Sequence, residues 1–169
     1  ELALGDLNND GDLDVVTAGD DGTVGVMLGN GQGELVVSSA TLTGAPVVDV
    51  ATADFNGDGD LDVAATNRTS ANTAILSGDG TGTLTPTTTT DMTAEPLALA
   101  TGDLNADGRV DVATVNTGTV NVGVAFNTTT YTPKNTVAPN TGPAAGGTSV
   151  TITGANFTGA TSVTFGSAD

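Results

Sequence analysis

No cysteine and no histidine occur among the 169 residues. Their absence removes thiolate and imidazole metal sites, cysteine nucleophiles and histidine acid–base chemistry from this stretch of chain. Tryptophan is missing too and aromatics reach only 3 %, so a core must be built mainly from Val, Leu and Ala. That suits thin, tightly packed sheets better than a helical bundle. Positive charge is equally scarce. Arg68, Arg109 and Lys134 are the three cations, too few for a phosphate-binding footprint, and nucleic acid is not an expected partner. No apolar run approaches the roughly 20 residues of a membrane-spanning helix, and no segment has the make-up of a signal peptide.

Acid is abundant instead. The formal charge is −17, with 20 Asp and Glu. Four, four and three of these, eleven in all, fall in three short stretches: Asp6–Asp14, Asp54–Asp62 and Asp103–Asp111. Their first residues are 48 and then 49 positions apart. Each stretch has Asp at position one (Asp6, Asp54, Asp103), Asn at three (Asn8, Asn56, Asn105) and Asp at five (Asp10, Asp58, Asp107). Gly stands at six and Asp again at nine (Asp14, Asp62, Asp111).

Alternate oxygen-bearing side chains in a tight loop are what a hard cation needs, since Ca²⁺ takes six to eight oxygens at about 2.3–2.6 Å. The glycine at six meets a sharp turn through positive φ. Position seven holds Asp12, Asp60 and Arg109. A cation at that place implies that position seven contributes its backbone carbonyl, as in the EF-hand loop. One such loop alone reads equally well as an Asp/Asn/Gly-rich turn between strands. Three copies with a fixed glycine favour up to three Ca²⁺ sites, which would bring the charge from −17 to −11.

Position twelve, the bidentate Glu of an EF-hand, is Thr17, Ala65 or Thr114 here. The residues after each loop, Val15-Val16, Val63-Ala64 and Val112-Ala113, suit strands rather than helices. No helical periodicity is sustained anywhere, so the expected fold class is all-β.

The loop pattern D-x-[DN]-x-D-G-x-x-D resembles that of the calcium-binding FG-GAP/VCBS repeats, the blades of integrin α-type propellers. The resemblance covers residues 1–126. It implies three four-stranded antiparallel blades, with Ca²⁺ held between two strands of each. Blade limits are expected at 1–46, 47–96 and 97–126, and residues 1–4 read as the end of a strand. Closed propellers need at least four blades, so these three read as an arc of a larger propeller. The third repeat departs from the second by lacking the turn at Gly78–Gly82, and Thr87–Thr90 reads as a solvated connection. A calcium β-roll would need a nine-residue Gly/Asp repeat, which is absent.

A polar linker is expected at 127–136, after which the composition changes. The run from Pro139-Asn140-Thr141-Gly142-Pro143 through Gly146-Gly147-Thr148 and Val150-Thr151-Ile152 to Phe157 resembles the opening of an IPT/TIG domain. Residues 137–169 would then be the first part of an immunoglobulin-like sandwich. Three N-x-[ST] patterns, at Asn67, Asn127 and Asn156, are expected by chance in so Thr- and Asn-rich a chain.

These features lead to an expectation of a calcium-stabilised, non-catalytic segment of a large secreted or cell-surface protein, bacterial in origin. Its role would be adhesion or the binding of an extracellular glycan or protein. The alternatives are an accessory region of a secreted polysaccharide-active enzyme whose catalytic domain lies elsewhere, and a spacer without a ligand. Paired carboxylates could suggest a glycosidase, but three periodic copies are unlike an active site, which is built once.

Overall fold

A computed structural model of the chain describes residues 1–91, 95–117 and 121–130, together with the short strands Thr136–Ala138 and Thr151–Thr153. All regular elements among them are strands. The first sheet is β1 (Leu2–Gly5), β2 (Asp14–Ala18), β3 (Thr23–Gly29) and β4 (Leu35–Leu42), in that order and antiparallel. The second repeats the plan with β5 (Val47–Ala53), β6 (Asp62–Asn67), β7 (Asn72–Gly78) and β8 (Leu84–Asp91). The third has β9 (Pro96–Gly102), β10 (Asp111–Asn116) and β11 (Asn121–Ala125). Where four strands are expected, this sheet has three among the described residues.

The remaining two strands, β12 (Thr136–Ala138) and β13 (Thr151–Thr153), pair antiparallel with each other. They lie in the segment expected to open an Ig-like sandwich. Asn156 lies outside the described residues.

The three sheets are stacked as a fan. Their first strands β1, β5 and β9 run side by side, while the outer strands β4 and β8 touch less extensively. Two apolar layers fill the gaps. Between sheets one and two, Val16, Val24 and Val26 meet Val50, Val63 and Leu76. Between sheets two and three, Phe55 and Ala64 meet Val112, with Leu99 and Ala125 at the margin. Small and β-branched side chains make these layers thin, as the shortage of aromatics requires.

Thr87–Thr90 is not a connection between blades. These residues continue β8 as the outermost strand of sheet two. That strand is almost wholly exposed after Leu84, so it lacks the apolar alternation by which strands are recognised. Its pairing shifts between Ile75 and Leu76, with Pro86 opposite Leu76. Proline is tolerated there because an edge strand need not donate every amide. Sheet one shifts at the equivalent place, between Val26 and Met27.

Asn67 is 1 % exposed, accepts from Thr43 Oγ1 at 3.0 Å and donates to Asn72 Oδ1 at 2.9 Å. Its N-x-[ST] pattern is therefore a structural position in the fold rather than an accessible acceptor.

Candidate metal-binding loops

Each acidic stretch joins the first and second strands of its sheet and sits at the same end of the fan. Asp6 Oδ1 and Oδ2 accept the amides of Asp10 (3.2 Å) and Gly11 (2.9 Å). Asn8 Oδ1 takes the Asp10 amide at 3.1 Å, and Asp10 Oδ1 takes the Asp12 amide at 2.9 Å. The third loop repeats these bonds from Asp103, Asn105 and Asp107 to the amides of Asp107, Gly108 and Arg109. In the second, Asp54 Oδ1 instead bonds the Gly57 amide, at 2.6 Å, and Asn56 Nδ2 donates to Ser77 Oγ at 3.0 Å rather than to the position-five carboxylate.

The chain can wind this tightly because two positions of each loop enter the left-handed region. Position six is Gly11, Gly59 or Gly108, at φ 92°, 93° and 83°, as the invariant glycine predicts. Position four also has positive φ, at Asn9 (61°), Gly57 (76°) and Ala106 (60°). Three different residue types occupy it, so nothing in the sequence marks it.

Position nine has a second task that sequence reasoning misses. Asp14, 0 % exposed, accepts the Leu7 amide at 2.7 Å through Oδ2 and the Gly29 amide at 2.9 Å through Oδ1. Asp62 does the same with Phe55 and Gly78, both at 2.9 Å, and Asp111 with Leu104 (2.9 Å) and Asn127 (2.7 Å). Each carboxylate thus staples the start of its loop to the end of the third strand. Asx-type acceptors of backbone amides and metal ligands use the same residue type, so the sequence alone cannot separate the two jobs.

Side chains at position seven leave the first two loops, whereas that of the third also turns back onto its own loop. Asp12 leans over Gly31 in the turn between β3 and β4. Asp60 is buried and accepts from Asn9 Nδ2 of the neighbouring loop at 2.9 Å. Arg109 reaches the Asn127 carbonyl at 2.7 Å and the Asp107 carboxylate at 2.6 Å.

Electrostatics separate the carboxylates. The amide of Asp12 and the side chain of Asn8 hold Asp10 below the usual carboxylate range. At Asp107 partial desolvation works upward, but the Arg109 amide, Asn105 and the Arg109 guanidinium outweigh it and leave the group lowered. Burial pushes Asp62 up. The amides of Gly78 and Phe55 and the Ser77 hydroxyl oppose that rise, and the Asp58 charge adds to it.

The donor set is oxygen only, which fits a hard cation. Asp6, Asn8 and Asp10, the Asp12 carbonyl and Asp14 would hold it in the first loop. As placed here, no three acidic side chains among the described residues stand close enough to form a metal-binding group. The loops are braced by their own amide-to-carboxylate bonds.

Loop two is the most enclosed, because a neighbour packs on each side. The position-two carbonyl of loop one accepts from the Gly82 amide of sheet two at 3.0 Å. That of loop two, on Phe55, accepts from Asn127 Nδ2 at 2.7 Å. Asn127, placed in the linker by its polar surroundings, thus ties sheets two and three together. Asp49 adds a further tie through the Leu99 amide at 2.8 Å. Between Phe55, Ile75, Thr88, Val112 and Phe126 lies a cavity of about 410 Å³ with Asp62 and Ser77 in its wall.

Two overlapping stretches, residues 6–65 and 54–114, match a family model described as an FG-GAP-like repeat. Residues 133–169 match the model of the IPT/TIG domain. No curated protein matches the chain.

Proposed function

Because the chain belongs to the FG-GAP-like repeat family and carries an IPT/TIG match behind its repeats, we propose that it is a calcium-stabilised, non-catalytic region of an extracellular protein. Its work is adhesion or the presentation of a binding surface to a glycan or protein. The observation that carries this reading is the threefold repetition of one loop geometry. In every copy the position-one carboxylate braces amides near position five, and the position-three side chain accepts the amide of position five.

Bound Ca²⁺ would offset the crowded negative charge of each loop and lock it against the first two strands of its sheet. Module affinities of about 10⁻⁴–10⁻³ M are typical outside cells, where calcium is plentiful. The position-nine carboxylates are used alike in all three copies, which favours a structural role over a single acid–base pair. A secreted or surface-attached bacterial setting accords with the oxygen-only sites and the charge of −17.

Calorimetric titration of two variants tests the ligand assignment. Asp58→Ala removes an anionic ligand and should abolish most Ca²⁺ binding at loop two. Asp60→Ala keeps the position-seven carbonyl, so affinity should change little. It also cuts the bond to Asn9, so the melting temperature should fall. Equal losses of affinity in the two variants would remove the carbonyl assignment.

A further inference from the structure

Loops one and two touch through a pair of side chains. Asn9 Nδ2, at position four of loop one, donates to Asp60 Oδ1, at position seven of loop two, at 2.9 Å. Asp60 is only 6 % exposed. Gly80, in the turn between β7 and β8, closes over the pair, and a Cβ there would stand 2.7 Å from both Asn9 Nδ2 and Asp60 Oδ1. Two residues on, the Gly82 amide donates to the Leu7 carbonyl of loop one at 3.0 Å. The turn at Gly78–Gly82, which the third repeat lacks, therefore clasps loop one at positions two and four.

The bridge bears on each loop where an ion would be held. Asn9 stands between Asn8 and Asp10, two of the side chains expected to ligate in loop one, and these meet at 2.8 Å. Its left-handed backbone, at φ 61°, is unfavourable for an L-residue, and the bond to Asp60 helps to hold it. Asp60 in turn carries the backbone carbonyl expected to ligate in loop two. The equivalent pair between loops two and three would be Gly57 and Arg109, and glycine has no side chain with which to donate. The direct bridge therefore belongs to loops one and two.

We infer that the Asn9–Asp60 bridge couples the two loops, so that Ca²⁺ binding at loop two raises the affinity of loop one, and the reverse. The inference rests on the calcium reading above. With its carbonyl engaged, Asp60 has its backbone fixed, and with it the carboxylate that holds Asn9. Loop one then offers Asn8 and Asp10 already placed and loses less conformational freedom on binding. Linkage makes the effect mutual. Repulsion between ions in neighbouring loops works the other way. Salt screens it, while a partly buried hydrogen bond is screened much less. A coupling of about fivefold, the lower end of the usual range, stays small beside the loss expected of Asp58→Ala.

A Ca²⁺ titration of the whole chain followed by amide NMR at physiological salt reads each loop separately. Gly11 and Gly59, at position six, each bond the position-one carboxylate of their own loop, so their signals report that loop. Asp58→Ala, which empties loop two, should raise the midpoint at Gly11 about fivefold. Asn9→Gly keeps the left-handed backbone and removes the donor. Alone, it should raise the midpoint at Gly59 by a similar factor with every ligand of loop two intact. Combined with Asp58→Ala, it should leave the Gly11 midpoint where Asn9→Gly alone puts it. Dispersed β5 and β6 amides in the same spectra check that each variant is folded. An unchanged Gly11 midpoint in Asp58→Ala, or the same shift with and without the Asn9 donor, would overturn the coupling. Should both glycines respond but independently, the coupling alone is wrong. Should neither respond to Ca²⁺, the calcium reading fails and the coupling falls with it.

Discussion

Asp14 shows how much one carboxylate carries. Fully buried, it accepts two backbone amides, one at the start of the loop and one at the end of the third strand. Asp14→Asn would turn an amide NH₂ toward one of those N–H donors and leave it without an acceptor. A buried unsatisfied donor costs about 1–3 kcal/mol, so urea unfolding should show a loss in that range even without metal. A midpoint unchanged from wild type would mean that the staple is not structural. Ala106 is the opposite case, a side chain that harms. At φ 60° it holds a left-handed backbone that costs an L-residue roughly 1–2 kcal/mol. Ala106→Gly removes that strain and loses part of the gain to unfolded-chain entropy. The net stabilisation should be about 0.5 kcal/mol, measurable as a higher melting temperature. Both features lie beyond the reach of sequence. Aspartate at nine looks like a ligand whichever task it performs, and the residue types at four (Asn9, Gly57, Ala106) share no signature.

At the scale of the element, strands that bury one face were legible. In β5 (Val47–Ala53) the apolar positions and the flanking turn residues agree. The outer strands were not. β8 faces solvent along Thr85–Asp91, so nothing but pairing with β7 tells it from a loop. Its partner strand ends at a glycine with a definite reason to be one. A Cβ at Gly78 would collide with the Leu61 carbonyl, and Gly29 meets the Leu13 carbonyl in the same way. Gly78→Ala must push the third strand away from the loop and weaken the Gly78 amide bond to Asp62. Overpacking of this kind costs about 1–3 kcal/mol. Gly102→Ala, with nothing within 4 Å of the new carbon, is the control and should be close to neutral in thermal melts. Equal destabilisation by both would show that the close approach is not what fixes Gly78.

For the whole molecule, the repeat period and loop pattern were enough to anticipate successive antiparallel sheets arranged as an arc. They did not reveal how neighbours are joined. Those ties run through Asn9 to Asp60, Asp49 to the Leu99 amide, and Asn127 to the Phe55 carbonyl. Such polar residues resemble ordinary loop residues until the sheets are stacked. Cohesion of the fan therefore depends on the loops keeping their shape, and the loops crowd carboxylates together. An ion bound only by the folded state adds RT ln(1 + [L]/Kd), or about 2 kcal/mol per site at roughly twenty times Kd. Thermal unfolding of the chain in millimolar Ca²⁺ and again in excess EGTA is thus the most direct measurement. Calcium binding at the three loops predicts a melting temperature lower by several degrees in EGTA, restored by adding Ca²⁺ back. The same melting temperature in both buffers would contradict it.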